Sequence, residues 1–312
     1  MTAMPDELPD PPMAPRAKKR KWLGLILILA LLAGFLMIVA GPRVPGMGLP
    51  GSPEIGQINL VSPIFSSEDL LACFHVADQS EKLKVLILRV DSPGGFVGSS
   101  QEVYRRVRQF KESRNLPVIV SVENVCASGA YYIAAAADTI LVNPGSQVGS
   151  IGVIIDLLNV RDLMDKFGVD ARTIKTGRYK DAGDPTRRLS EEDDREERRY
   201  FQSLIDPVLD QFVKDVAESR RMPEAAVRKV AHGGVFTGEQ AVRLGLADEV
   251  GNYVDAISLA ARLAGLDPRK AAATIIAPPD RRGLIERLLF GESARAGLFR
   301  SWGRKYSLAF LP

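Results

Sequence analysis

Ser128 lies in the stretch Val125-Cys126-Ala127-Ser128-Gly129-Ala130-Tyr131-Tyr132, and Lys180 in Thr176-Gly177-Arg178-Tyr179-Lys180-Asp181, of a chain with only two histidines. A serine nucleophile needs a base to take its proton, and with His75 and His232 in no suggestive setting the base expected here is a lysine. Lysine does this work only when burial or nearby cations bring its pKa down from about 10.4 toward the working pH. The apolar run Pro117 to Val122 precedes the serine and the helix-prone Tyr131 to Ala137 follows it, which predicts a strand-to-helix turn at Ser128. There the positive end of the helix favours an alkoxide. Cys126, two residues upstream, is the competing nucleophile, but it too lacks a neighbouring base in the sequence.

Asp91-Ser92-Pro93-Gly94-Gly95 directly follows the strand-like Val85 to Val90, so it is expected as a loop at a strand's C-terminal end, where α/β domains build their sites. Gly94 and Gly95 permit positive φ and close backbone approach, which lets main-chain N–H groups point at a developing oxyanion. Gly129 supplies the backbone donor that follows a nucleophile. Ser150, in Gly149-Ser150-Ile151-Gly152-Val153, could accept a hydrogen bond from the lysine and orient it. Read singly, each has a plainer meaning: a tight surface turn, a polar residue in a glycine-rich turn, and for Lys180 a solvated surface lysine.

The elements that must hold these residues alternate. Short β-type runs at Ile58 to Val61, Val85 to Val90, Val118 to Val122 and Thr139 to Val142 are separated by helical patterns at Glu68 to Ala77, Ser99 to Glu112 and Ala130 to Ala137. Near-continuous apolar strands between helices predict an α/β domain whose mostly parallel sheet is covered on both faces. Arg172 to Lys175 reads as β-like. Ser190-Glu191-Glu192-Asp193 has the spacing of a capped helix start, with the helix continuing, broken or kinked at Pro207, to Arg220. Thr237 to Gln240 has capping-box spacing.

Residues 1–21 are rich in proline and charge and are expected to be disordered. Trp22 to Ala40 holds 19 residues without a charge, roughly 28 Å at about 1.5 Å per residue, enough for a transmembrane anchor. Arg16, Lys18, Lys19, Arg20 and Lys21 just before it should stay cytoplasmic, placing the remainder outside the cytoplasm. A cleaved secretory signal is the competing reading of that run; it is disfavoured by the length and by the lack of a small-x-small site. A linker, 41–55, then leads to a domain at 56–276, and 277–312 forms a basic amphipathic tail suited to a membrane surface, a partner groove or a last docking helix. Cys73 and Cys126 could pair in an oxidising compartment or stand as two buried thiols. The scattered histidines and cysteines suggest no metal site, no Walker pattern occurs, and the net charge of +3 does not favour nucleic acid; no cofactor is expected.

Asp91 to Gly95, Ala127 to Ile133, Val148 to Val153 and Gly177 to Pro185, in this order and behind an anchor, resemble the short, single-domain form of the signal peptide peptidase A family, membrane-anchored serine/lysine peptidases. The resemblance spans roughly residues 56–265. It implies Ser128 as nucleophile, Lys180 as general base, Ser150 as the serine that orients the lysine, and Gly95 and Gly129 at the oxyanion hole. It implies also a crotonase/Clp-like fold and a ring-shaped homo-oligomer, an octamer being the suggested size, with sites composed across subunits. The activity implied is endoproteolysis, through an acyl-enzyme, of remnant signal peptides and similar apolar peptides at the outer face of the cytoplasmic membrane. Asp91 departs from the asparagine common there and Ala130 from a second glycine. Two other functions stand beside it: a crotonase-type acyl-CoA hydratase or isomerase, and a catalytically silent membrane scaffold.

Overall fold

In the computed structural model, which describes residues 54–279, the four apolar runs form neighbouring parallel strands β1 (Ile55–Val61), β2 (Val85–Ser92), β3 (Val118–Ala127) and β4 (Thr139–Val142). Their side chains alternate between two cores. Leu86, Leu88 and Val90 of β2, with Val118, Val120 and Val122 of β3, enter one cluster, while Val85, Ile87 and Ile119 enter the other. This is the period-2 pattern of a sheet buried on both sides. Each such side chain contributes roughly 1.5–3 kcal/mol by leaving water.

The connecting helices cover those faces. Residues of α1 (Glu68–Asp78), α2 (Val97–Arg114) and α3 (Gly129–Ala135), among them Phe74, Phe110 and Tyr131, fill the larger cluster. The smaller one is closed by four alanines of α8 (Tyr253–Ala264): Ala256, Ala260, Ala261 and Ala264. Alanine at these places lets the helix lie close against the strands. The expected α/β class with a mostly parallel, two-sided sheet is what the chain adopts.

β3 is long enough to take two partners on one side, β4 along Ile119–Ser121 and then β5 (Gln147–Gly149) along Val125–Ala127. Its ten residues therefore end beside β5, and Ser128 follows at that end. β6 (Val235–Thr237) pairs antiparallel with β5, β7 (Glu249–Val250) pairs with β4, and β8 (Thr274–Ile275) with β1.

Between β5 and α5 (Glu191–Arg220) the chain runs through a largely exposed arm whose one helix, α4 (Arg161–Lys166), buries no residue. Arg172 to Lys175, expected as β-like, forms no strand. With no sheet edge to pair with, Ile174 is fully exposed. α5 starts at the capping box of Ser190 and Asp193 and runs unbroken through Pro207. The carbonyl that proline leaves without an N–H is that of Ser203, an exposed residue, so water can satisfy it. Short α6 (Glu224–Val230) follows, and α7 (Gly238–Arg243) starts at the capping box of Thr237 and Gln240.

No disulfide joins Cys73 and Cys126; both thiols are buried. Residues 1–21, the expected anchor 22–40, most of the linker and the tail beyond residue 279 lie outside the described residues. Among the described residues no helix is long and apolar enough to cross a membrane.

Candidate active site

Ser128 sits between the last residue of β3 and the first of α3, with φ 52° and ψ −125°. A non-glycine residue there carries about 1–3 kcal/mol of backbone strain and persists only where its surroundings impose it. The imposing bonds are on both sides. Its N–H donates to the Gly149 carbonyl of β5 at 2.8 Å, and its own carbonyl accepts from Tyr132 N–H at 2.9 Å inside α3. α3 in turn is fixed by Tyr131, whose hydroxyl donates to the Leu246 carbonyl at 3.0 Å, and by Tyr132, whose hydroxyl donates to Asp215 of α5. The serine is left half-buried at a sharp turn with its backbone clamped.

The glycine loop lies against this turn. Gly94 has φ +96°, and a Cβ on it would stand 2.6 Å from the Gly129 nitrogen, 2.7 Å from the Ala127 carbonyl and 2.8 Å from the Ser128 Cβ. Gly95 is pressed equally hard against the chain after β1: a Cβ there would stand 2.2 Å from the Ile64 carbonyl. Ile64 and the loop are stitched by Ile64 N–H to Gly94 O and Phe96 N–H to Ile64 O, both at 2.8 Å. Among the described residues the N–H groups of Gly95 and Gly129 donate to no other main-chain group, the second because first-turn amides have no intrahelical acceptor. A carbonyl approaching Ser128 Oγ would find two unused donors nearby, the arrangement an oxyanion requires.

Alanine at Gly94 would have to adopt a positive φ and push aside the Ser128 turn. We expect Gly94→Ala to cost about 2–4 kcal/mol, roughly 5–10 °C in melting temperature for a domain of this size. Peptide turnover should fall by more than the folded fraction does. Thermal unfolding measured beside turnover checks both.

Ser150 stands one residue past β5, next to Gly149, with φ 49°. Its hydroxyl donates to the Gly233 carbonyl at 3.1 Å and its N–H to Gly234 at 2.9 Å, so its lone pairs remain for a further donor. Thus Ser128, Gly95, Gly129 and Ser150 meet at the C-terminal ends of β2, β3 and β5. Lys180 does not join them. It is an exposed residue in the turns at 177–183, and among the described residues its amine makes no hydrogen bond to Ser128 or Ser150.

Sequence reading passed over two supports. The register of β2 on β3 shifts between Val90 and Ser92, and Asp91 bridges the gap: its carboxylate accepts from Val125 N–H at 3.1 Å and from the Asn124 side chain at 2.9 Å. Asp91, which departs from the asparagine common there, is engaged in holding the end of β3. Ser92 is fully buried; its hydroxyl donates to the Ser62 carbonyl at 2.6 Å and accepts the Gly94 N–H at 3.2 Å. The Asp-Ser pair before Pro93-Gly94-Gly95 was the visible signal, but only the bulge gives it a purpose. Cys126 is no rival nucleophile, because full burial pushes its thiol pKa up and keeps it protonated.

Peptidase family S49 matches residues 110–267, a stretch that includes Ser128, Ser150 and Lys180. The chain belongs to peptidase family S49. This S49 chain is 41% identical over 215 residues to a candidate protease of Synechocystis sp., covering 69% of its own length and 75% of that relative. It is 35% identical over 205 residues to a candidate signal peptide peptidase SppA of Enterococcus faecium, covering 65% of itself and 58% of the relative. Against the chloroplastic serine protease SPPA of Arabidopsis thaliana the identity is 32% over 221 residues, 70% of this chain and 32% of the relative. Family membership makes the S49 chain a peptidase of a serine protease family.

Proposed function

We propose that this S49 chain is a serine/lysine endopeptidase that works as a ring-shaped homo-oligomer, with Ser128 of one protomer served by Lys180 of its neighbour. The observation that carries the reading is the division of the machinery. Ser128, with the Gly95 and Gly129 amides and Ser150, forms one strained, rigid cluster, while Lys180 projects from an arm that its own chain leaves exposed. That arm presents Ile154, Leu158, Phe167 and Ile174, each more than 70% exposed, and apolar surface of this kind favours a protein partner. A second copy of the chain would cover it and bring the amine to the hydroxyl.

In the assembled site Lys180, desolvated by the neighbouring subunit, takes the Ser128 proton as Oγ attacks the scissile carbonyl. The tetrahedral oxyanion forms against the Gly95 and Gly129 N–H groups, and the strain at Ser128 holds Oγ where attack needs no further motion. Collapse expels the amine, which takes the proton from Lys180, and leaves an acyl-enzyme on Ser128. Water then repeats the sequence with Lys180 again as base. Ser150, through its free lone pairs, orients the lysine.

The substrates are apolar peptides, remnant signal peptides above all, with small or medium apolar side chains beside Ser128. The uncharged run 22–40, read as an anchor with its basic flank in the cytoplasm, would hold the domain 56–276 at the outer face of the cytoplasmic membrane, where such peptides collect. A crotonase/Clp-like arrangement of the sheet is consistent with β3 ending at the nucleophile. The hydratase reading predicts acidic catalytic residues, and Asp91, the acid nearest the loop, is occupied in bracing β3. A scaffold would need no strained serine.

The test is covalent labelling of the full-length protein with a serine-directed reagent. Ser128 is expected to be modified in the wild type and unmodified in Lys180→Ala. Equal labelling of both would remove the lysine from the mechanism, and no labelling of either would remove the enzyme reading.

A further inference from the structure

Among the described residues Glu197, on the second turn of α5, is the one charged residue that the fold buries, at 7% exposure. A carboxylate is taken out of water at a large cost unless partners replace the water, so its partners indicate what it is there to hold. They are all in the segment that carries Lys180. Glu197 accepts the Gly183 N–H at 3.2 Å and forms an ion pair with Arg187. Arg187 also donates to the carbonyl and the carboxylate of Asp181, each at 3.2 Å. On the other side of Lys180, the Tyr179 hydroxyl donates to Glu196 at 2.7 Å and its ring stacks on Tyr200, centroids 4.4 Å apart. Both chain neighbours of Lys180 are therefore tied to the first turns of α5.

Elsewhere in the arm the helix α4 buries no residue, and Ile154, Leu158, Phe167 and Ile174 face outward. α5 is a firm base for the attachment, because its distal part is docked in the core through Phe212, Val213 and Val216. We infer that Glu197, acting through Arg187 and the Gly183 amide, is a positioning residue for Lys180, fixing the 177–187 turn so that the amine is presented to Ser128 of the neighbouring subunit. The inference rests on Lys180 being the base. A second consequence concerns Asp181, whose carboxylate is shared by Lys175 and Arg187 and held below its ordinary range by the Lys175 hydrogen bond and the nearby Arg187. It is thus engaged by those two cations.

The experiment compares turnover of an apolar peptide by full-length wild type, Glu197→Ala, Glu197→Gln, Arg228→Ala and Lys180→Ala. Arg228 pairs with Asp210 on an exposed part of α5 and serves as the control for a surface ion pair on the same helix. Misplacing a catalytic group by about 1 Å can cost ~10²-fold, so kcat of Glu197→Ala should fall 10- to 100-fold, while KM, set around Ser128, stays within about twofold. Glu197→Gln, which keeps an acceptor for Gly183 and loses the charge for Arg187, should fall between, and Arg228→Ala should match wild type. A structural role alone would lower the active fraction instead, leaving kcat per titrated Ser128 unchanged. If Lys180→Ala is inactive while both Glu197 variants keep wild-type kcat per site, the positioning inference fails and the dyad stands. If Lys180→Ala remains active, both fall together.

Discussion

Alanine at Ser128 is expected to reduce peptide cleavage by at least about 10⁴-fold, and alanine at Lys180 to do the same, because groups that act as one unit each cost nearly the whole when removed. The loss should be in kcat. Ser128 makes its structural bonds through its backbone, to Gly149 and from Tyr132, so truncating its side chain leaves the clamped turn in place. Alanine bears the same strain at φ 52°, and the melting temperature should move little. Lys180 is exposed on its own chain, so its truncation opens no cavity within the protomer. Cys126 cannot take over, since its protonated, fully buried thiol is a poor nucleophile. Steady-state turnover of full-length variants, normalised to protein that passes thermal unfolding, checks the prediction. Cleavage above about one part in a hundred for either variant would remove that residue from the chemistry.

The second large effect is a gain from two losses. Mixing Ser128→Ala with Lys180→Ala chains, dissociating them and letting them reassemble should restore activity. In a random ring of equal parts, half of the sites hold an intact serine and half of these face an intact lysine, so about a quarter of wild-type activity should return. The physical reason lies in the separation of the parts. The turn bearing Lys180 is attached at Glu196 and Glu197, whereas α5 meets α3 at Phe212 and Asp215, some 18 residues on. At about 1.5 Å per residue that is roughly 27 Å along the helix. Such a strut separates the attachment of the lysine turn from the contact of α5 with α3. Mixtures with no more activity than the two inactive parents would assign both groups to one protomer.

Much of the strand and helix plan was legible because β2, β3 and their crossover helices carry unbroken apolar runs, and burial on both faces leaves few other arrangements. Ser128 at a strand-to-helix turn was legible for the same reason, the run from Val118 ending where Ala130 begins. Arg172 to Lys175 misled because alternation predicts a strand only if a neighbour offers its hydrogen bonds, and an arm outside the sheet has none. The continuous course of α5 through Pro207 was hidden because local propensity weighs the lost N–H but not the docking of the helix beyond it.

What the chain order alone determined about this protein is its α/β plan and the candidate parts it offers, a serine and glycines placed at the ends of parallel strands and a lysine in a turn. Those follow from local rules, since apolar period and turn residues act over a few positions. The tertiary structure decided where the parts lie relative to one another. The bulge braced by Asp91, the strain imposed on Ser128 by Gly149, and the tie from Glu197 to the lysine turn join residues from 14 to 34 positions apart. Contacts of that range depend on how β2, β3, β5 and α5 pack, and no local pattern encodes them.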